Sequence, residues 1–402
     1  MSERMPRRIF ISALEPSAEA HCANLIRAAR RLTEGPAAEW PGADHKHIPL
    51  RHGPPSFQWA GLGGPKMAAE GCRLLASPVT RAAMIYNVFT QLGYYRSLLK
   101  NAIHYLRVNP VDLAVVCDSP AFNFHIAKAA KKLNIPVLFY VAPQLWAWAP
   151  WRILKLRRSC DRLACILPFE KEWFTKRGIP TDFVGNPLFD EIAFNPDQCY
   201  KSYGDYSPSA PKIALFPGSR SAELNTLWPV MQKTAAQVAQ TRPQMELFAA
   251  AADEEKLETL KTNQIINLPI QYQIGDVFSL ARRVDLALVA SGSATLQVAA
   301  AGCPMLVLYH SNPILWHTLG RWLIRTRYLS LVNILAGKEL VPEFMPCLPR
   351  VETISARCSG MLDNKLSLIQ ISTALVELTR PFAKQKACDS AAQILLDMLH
   401  SP

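Results

Sequence analysis

Two turns in the second half of the chain carry residue types that hold phosphate groups. The apolar run Lys212–Phe216 leads into Pro217-Gly218-Ser219-Arg220-Ser221-Ala222-Glu223 and then a helical pattern. The run Leu286–Val289 leads into Ala290-Ser291-Gly292-Ser293-Ala294-Thr295, again ahead of a helical pattern. Glycine lets a ligand come close to the backbone, and a helix start offers free N–H groups and the positive end of the dipole. Arg220 adds a fork of donors suited to phosphate oxygens. One glycine-bearing strand–helix turn is usually only structural. Two of them at successive strand ends point to a phosphate site. No G-x-x-x-x-G-K-[ST] occurs, and Ala13-Leu14-Glu15-Pro16-Ser17 stands where a G-x-G-x-x-G would follow the first strand. A P-loop kinase and a nicotinamide dehydrogenase are therefore disfavoured.

Positioning such turns requires strands that end at one edge, and the chain alternates short β-rich runs with amphipathic helical stretches, the pattern of a parallel sheet covered on both faces. In the first half Arg8–Leu14, Gln58–Gly61, Leu113–Cys117, Val137–Val141, Leu163–Cys165 and Asp182–Val184 read as strands. In the second half Lys212–Phe216, Glu246–Ala250, Ile270–Gln273, Leu286–Val289 and Met305–Leu308 do so. The prolines and glycines between Gly185 and Pro211 mark a boundary. The expectation is an α/β protein of two Rossmann-like domains, residues 1–187 and 188–370, with a helical tail, 371–402, that returns to the first domain. Leu286 to Gly320 holds no charged residue and has the length of a membrane span, but its glycines and prolines cut it into strand and helix pieces. Thr33–Ser56 reads as an exposed loop; its His45, His47 and His52 lack carboxylate or thiolate partners at ligand spacing, so no metal is expected.

The composition narrows the class. With 402 residues, 50% hydrophobic and 19% charged, the chain is neither disordered nor a single small domain. A formal charge of +12 favours an anionic partner: nucleic acid, a phosphorylated substrate or an acidic membrane surface. The ten cysteines form no C-x-x-C pair, and several lie in apolar runs, as buried thiols in a reducing compartment would. The N-terminus shows no signal peptide.

A series of motifs then resembles the lipid-A-disaccharide synthase family. It runs through Leu14-Glu15-Pro16-Ser17, Gly61-Leu62-Gly63-Gly64-Pro65-Lys66-Met67, Asp118-Ser119-Pro120-Ala121-Phe122-Asn123 and Trp146-Ala147-Trp148. It continues through Leu167-Pro168-Phe169-Glu170-Lys171, Pro217-Gly218-Ser219-Arg220 with Glu223, Ala290-Ser291-Gly292-Ser293-Ala294, and Asn333-Ile334-Leu335-Ala336-Gly337. The resemblance implies the GT-B architecture, two Rossmann-like domains facing across a cleft, and an inverting hexosyltransferase needing no metal or other cofactor. Such an enzyme joins UDP-2,3-diacylglucosamine to 2,3-diacylglucosamine 1-phosphate (lipid X), giving the lipid A disaccharide of lipopolysaccharide and UDP. It implies a C-terminal domain that binds the UDP-sugar through Gly218, Ser219, Arg220, Glu223, Ser291, Gly292, Ser293, Ala294, Gln297 and Asn333. The N-terminal domain would take the acyl acceptor.

Inverting transfer needs a base for the acceptor hydroxyl and positive charge for the departing diphosphate. Asp118, at the end of an apolar strand, is the candidate base, with Asn123 to orient it. The alternative is a cap for the next helix, a role for which Ser119 competes. Glu15 and Ser17, where the first strand gives way to a helix, either cap that helix or touch the sugar.

Several positions depart from the family pattern. Leu14 stands where glycine is usual, and Ala18 interrupts Ser-Gly-Asp. Ala121 replaces the second aspartate of D-x-P-D-F-N, and Ala149 the arginine after Trp-Ala-Trp. Gln297 replaces the glutamate that would take the ribose hydroxyls. The alternatives are a GT-B relative with another UDP-sugar or acceptor, and a catalytically silent membrane- or partner-binding paralogue. Acyl substrates imply a peripheral protein on the cytoplasmic face of the inner membrane. Ala83–Leu99 is aromatic and amphipathic, and Arg152, Lys155, Arg157, Arg158 and Arg162 form a basic stripe beside Trp146, Trp148 and Trp151, joined by Arg321, Arg325 and Arg327. No nucleic-acid motif occurs. The oligomeric state is open, a homo-oligomer included.

Overall fold

The computed structural model describes residues 6–34, 57–79, 88–192, 194–265, 267–310, 324 and 326–400. The chain divides into two compact units, Met1–Asp190 with Gln385–Pro402, and Glu191–Lys384.

The first unit is built on β1 (Arg7–Ser12), β2 (Phe57–Leu62), β3 (Arg73–Ala76), β4 (Leu113–Cys117), β5 (Val137–Tyr140), β6 (Arg162–Cys165) and β7 (Thr181–Phe183). They form one parallel sheet in the order β3-β2-β1-β4-β5-β6-β7. The second unit holds β8 (Lys212–Phe216), β9 (Glu246–Ala251), β10 (Gln271–Ile274), β11 (Leu286–Ala290), β12 (Met305–Leu308) and β13 (Glu343–Phe344). Its sheet is also parallel, in the order β10-β9-β8-β11-β12-β13. Strands covered on both faces become unbroken apolar runs, and LAVVC of β4 and LALVA of β11 are wholly buried.

In each sheet the chain first winds outward one way and then crosses back to wind the other way. The reversal falls between β1 and β4 in the first unit and between β8 and β11 in the second. At such a switch point the helices leave on opposite faces and open a crevice beyond the carboxyl ends of the strands. All but one of the candidate residues follow β1, β4, β8 or β11; Asn333 is the exception.

Two strands escape the sequence pattern, the edge strand Arg73–Ala76 and the two-residue Glu343–Phe344. Helical periodicity from Ile371 to Leu399 covers two helices in different units. Lys365–Thr379 belongs to the second unit. Ala387–His400 belongs to the first, where Ala391, Leu395 and Leu399 join the core with Leu25 and Ile26 of the helix Pro16–Glu34. The Asp190 carboxylate starts that last helix, accepting from the Ala387 and Cys388 N–H groups at 2.9 and 2.8 Å.

The uncharged stretch from Leu286 is strand, helix and strand as far as Leu308. Among the described residues no helix is long and apolar enough to cross a membrane. All ten cysteines are free, and all are buried except the half-buried Cys347. His45, His47 and His52, residues 83–87, Arg321 and Arg325 lie outside the described residues.

Candidate functional site

In the first unit the chain leaves β4 through Asp118 and Ser119, both left-handed at φ 48° and 43°. Left-handed backbone at non-glycine residues costs about 1–3 kcal/mol each and persists only where surrounding bonds dictate it. Here they do. The Asp118 N–H donates to the Tyr140 carbonyl at 3.2 Å. Asn123, fully buried, donates from Nδ2 to the carbonyls of Cys117 and Asp118 at 2.9 and 2.8 Å. Its Oδ1 accepts from Ser12 Oγ at 2.8 Å, tying the end of β1 to the turn after β4. Asn123 thus orients the Asp118 turn, and its two N–H donors are both committed to that task.

Neither Asp118 nor Ser119 caps the helix Pro120–Lys132 through its side chain. Ser119 Oγ instead donates to Glu15 Oε1 at 3.3 Å, which brings the turns after β1 and β4 together. Ser17 is exposed in the first turn of its helix. The Asp118 carboxyl is pushed up to about 6, first by burial and then by the charge of Glu15, with the Ser119 backbone N–H pulling the other way. A carboxylate titrating there is ionised at neutral pH yet basic enough to take a proton from a hydroxyl.

Two neighbours carry no role in the sequence reading. Glu170 is buried and accepts from Trp146 Nε1 at 2.9 Å and from the N–H groups of Leu167 and Ile166 at 3.0 and 3.3 Å. Burial nevertheless pushes it up to about 7, with Asp118 adding a like charge. The legible signal was a glutamate at the third position of a helix opened by Leu-Pro, as in a capping box. Tyr95 stacks edge-on to Phe122 at 6.1 Å, and its hydroxyl is pushed up by burial, by Tyr94 and by Glu15.

In the second unit Gly218 has φ 98°, and a Cβ there would lie 2.5 Å from Glu223 Oε2 and 3.3 Å from Ala290 Cβ. Only glycine allows this contact between the ends of β8 and β11. The helix Ser221–Thr241 starts at once, with Arg220 before it. Arg220 is three-quarters exposed (75%) and pairs with Glu223 Oε1 at 3.1 Å. Ser219, Gly292 and Ser293 are exposed, while Ser291, Ala294 and Gln297 are half-buried at the start of the helix Ala294–Ala300. Thr295 Oγ1 donates to the Gly292 carbonyl at 2.7 Å and fixes that turn from inside. The two turns leave exposed hydroxyls, a guanidinium and first-turn N–H groups at one carboxyl edge, a donor set fit for phosphate oxygens.

Asn333, expected among the UDP-sugar ligands, does not offer its side chain to these turns. It is fully buried, with Oδ1 accepting from the Leu340 and Val341 N–H groups at 2.8 and 3.0 Å. Its Nδ2 donates to the Val341 carbonyl at 2.8 Å and to Glu343 Oε2 at 3.0 Å. All four bonds of its amide are spent on its own loop, so no polar atom remains for substrate. Arg162 leaves the basic stripe as well, because Asp182 neutralises it at 2.8 Å.

The family profile described as Lipid-A-disaccharide synthetase matches residues 9–398. The lipid-A-disaccharide synthase of Geobacter sulfurreducens is 29% identical over 406 aligned residues, covering 99% of this chain and 99% of that protein. Among solved structures, the UDP-GlcNAc 2-epimerase from Neisseria meningitidis bound to UDP-GlcNAc superposes with a TM-score of 0.55 at 11% identity, covering 98% of each chain. The spinosyn rhamnosyltransferase SpnG complexed with thymidine diphosphate gives 0.53 at 13% identity, covering 98% of this chain and 100% of that one. These likenesses show the fold, two Rossmann-like parallel-sheet domains of the GT-B kind.

Proposed function

This chain belongs to the lipid-A-disaccharide synthase family, glycosyltransferases of lipid A biosynthesis, and on that premise we propose that it joins UDP-2,3-diacylglucosamine to lipid X with inversion. The observation that carries this reading is the Asp118 carboxyl, held by a strained and fully bonded turn at the switch point of the first sheet and pushed up to about 6. The ionised carboxylate accepts the proton of the acceptor hydroxyl as its oxygen attacks the anomeric carbon. The bond from that carbon to the β-phosphate oxygen breaks on the opposite face, and UDP leaves with the electron pair. Arg220, Ser219, Ser293 and the first-turn N–H groups bind the diphosphate and its growing charge. Glu223 holds the Arg220 guanidinium at 3.1 Å. Gln297 faces the ribose with an amide that accepts one hydroxyl bond and donates another.

The enzyme is proposed to work as a peripheral protein on the cytoplasmic face of the inner membrane, where its acylated substrates reside. The test is UDP release by the purified protein from UDP-diacylglucosamine, with and without lipid X. The reading expects release that depends on lipid X, persists with chelator and yields disaccharide. Release from UDP-N-acetylglucosamine alone, or none with any UDP-sugar, would replace it.

A further inference from the structure

From Ser119 to Cys160 the sequence contains no aspartate or glutamate, yet it includes His125, Lys128, Lys131, Lys132, Arg152, Lys155, Arg157 and Arg158. The fold brings this stretch to one side of the first unit, on the helices Pro120–Lys132 and Ile153–Ser159, which meet where Lys155 Nζ lies 5.0 Å from the Phe124 ring centre. Lys131 is matched by Asp161 at 2.5 Å. Among the described residues, Lys128, Arg152, Lys155 and Arg158 pair with no carboxylate. The Lys155 ammonium is held below its usual value by burial and by Arg152 and Lys128, and His125 by burial, Lys155 and Lys128. Among the described residues, the charges that shift these two groups are the neighbouring cations. One Arg152 guanidinium nitrogen is buried with no partner, and the guanidinium lies over Trp148 at 5.3 Å.

Beside these cations stand Trp148, 38% exposed, Trp151, 59%, and Leu154, 52%. Single exposed apolar residues are ordinary on a protein surface. Three within seven residues, two of them tryptophans flanking the left-handed Ala149 (φ 56°), are not scattered singly. Tryptophan with an adjacent basic fringe is the composition favoured where apolar tails meet anionic headgroups.

We propose that the face formed by Trp148, Trp151 and Leu154, fringed by Lys128, Lys155 and Arg158, docks on an anionic phospholipid bilayer. The tryptophans enter the headgroup layer while the cations meet lipid phosphates. The purpose of this contact rests on the proposed use of acylated, membrane-held sugars; the contact itself needs no substrate.

Sedimentation of the full chain with vesicles of phosphatidylethanolamine and phosphatidylglycerol, and with phosphatidylcholine vesicles, tests it. Binding should favour the anionic vesicles and weaken with salt. The double variant Trp151→Ser/Leu154→Ser should partition about tenfold less, given the apolar area withdrawn from the lipid. Lys128→Ala/Lys155→Ala should lose about fivefold per charge on anionic vesicles alone. Both pairs are exposed, so thermal melting should confirm intact folding. Partitioning by either variant equal to wild type, or wild-type binding indifferent to lipid charge, overturns the proposal. So does a loss of self-association in the Trp151 variant with vesicle binding unchanged, which would make the face a protein interface. UDP release in detergent separates the two readings: disaccharide formation with unaltered vesicle binding by the variants sinks the docking face alone, whereas vesicle binding without transfer sinks the reaction alone.

Discussion

Replacing Asp118 with Asn should remove the proposed base while leaving its supports in place. The Asp118 N–H donates to Tyr140 at 3.2 Å and its carbonyl accepts from Asn123 at 2.8 Å, so both anchors are backbone bonds that the substitution spares. Asparagine is also among the few residues that tolerate the left-handed region demanded by φ 48°. Stability should therefore change by less than about 1 kcal/mol, while kcat falls about 10²–10⁴-fold, the usual worth of general base catalysis. The pH profile gives the sharper test. Burial and Glu15 make the carboxyl keep its proton up to about pH 6, and a protonated carboxyl cannot serve as base. Activity should thus rise with pH through about 6 and level off above it. Glu15→Gln removes the second cause of the upward shift but not the first and larger one, so the acidic limb should move down yet stay above 3.8. UDP release with both sugars, followed across the acidic and neutral range, measures this. An Asp118→Asn enzyme with more than about a tenth of normal kcat would refute the base assignment. A limb that stays put or moves upward in Glu15→Gln would refute the electrostatic account.

Asn123→Ala should lower stability by about 2–3 kcal/mol in urea unfolding, because the Cys117 and Asp118 carbonyls and Ser12 Oγ lose their buried partner. Gly218→Ala should cost about 1–3 kcal/mol and weaken donor binding in calorimetry, since the new Cβ meets Glu223 Oε2 at 2.5 Å on a backbone of φ 98°. Arg220→Ala should leave the melting temperature nearly unchanged, its ion pair being exposed, and raise the donor KM about 10–100-fold through loss of charge-assisted phosphate bonds. Gln297→Glu should tighten UDP binding about fivefold in calorimetry by restoring a charged acceptor for the ribose hydroxyls.

The sheets were legible because parallel strands buried on both faces must be continuous apolar runs. β4, β8 and β12 carry the boundaries read from sequence, and β11 differs by one residue. Arg73–Ala76 opens with arginine on a sheet edge and Glu343–Phe344 has two residues, so neither offers a period to read. The two glycine turns were visible because close backbone contact and helix starts depend on few residue types. The left-handed pair Asp118-Ser119 was not, because its conformation is imposed by bonds to the Tyr140 carbonyl and from Asn123 Nδ2 to backbone carbonyls, which no local residue pattern displays. A helix cap at Asp118 was the alternative the sequence left open, and the Ser119–Glu15 bond and the empty cap position exclude it.

The same physics explains why motif residues divide into holders and actors. A buried polar group must be bonded, so a motif residue that folds inward spends its capacity on the protein itself. Asn123, Asn333 and Glu170 do so: the first shapes the Asp118 turn, the second closes the loop before β13, and the third holds Trp146 and a helix start. Ser219, Arg220, Gly292 and Ser293 stay at the exposed strand ends, with bonding capacity open to a ligand. The departures from the family pattern sort by the same rule. Leu14 and Ala18 are 4% and 1% exposed, so their side chains add to the core and do not stand over the strand end. Ala149 is equally buried, at 2%. Ala121 is exposed and Gln297 half-exposed, which makes these the two departures that alter a surface a substrate can touch. A missing carboxylate near Asp118 removes a like charge that would lift its proton affinity further. Burial first, and then the charge of Glu15, already place that affinity where the proposed base would work at neutral pH, so the loss at Ala121 is one that the proposed proton transfer can bear.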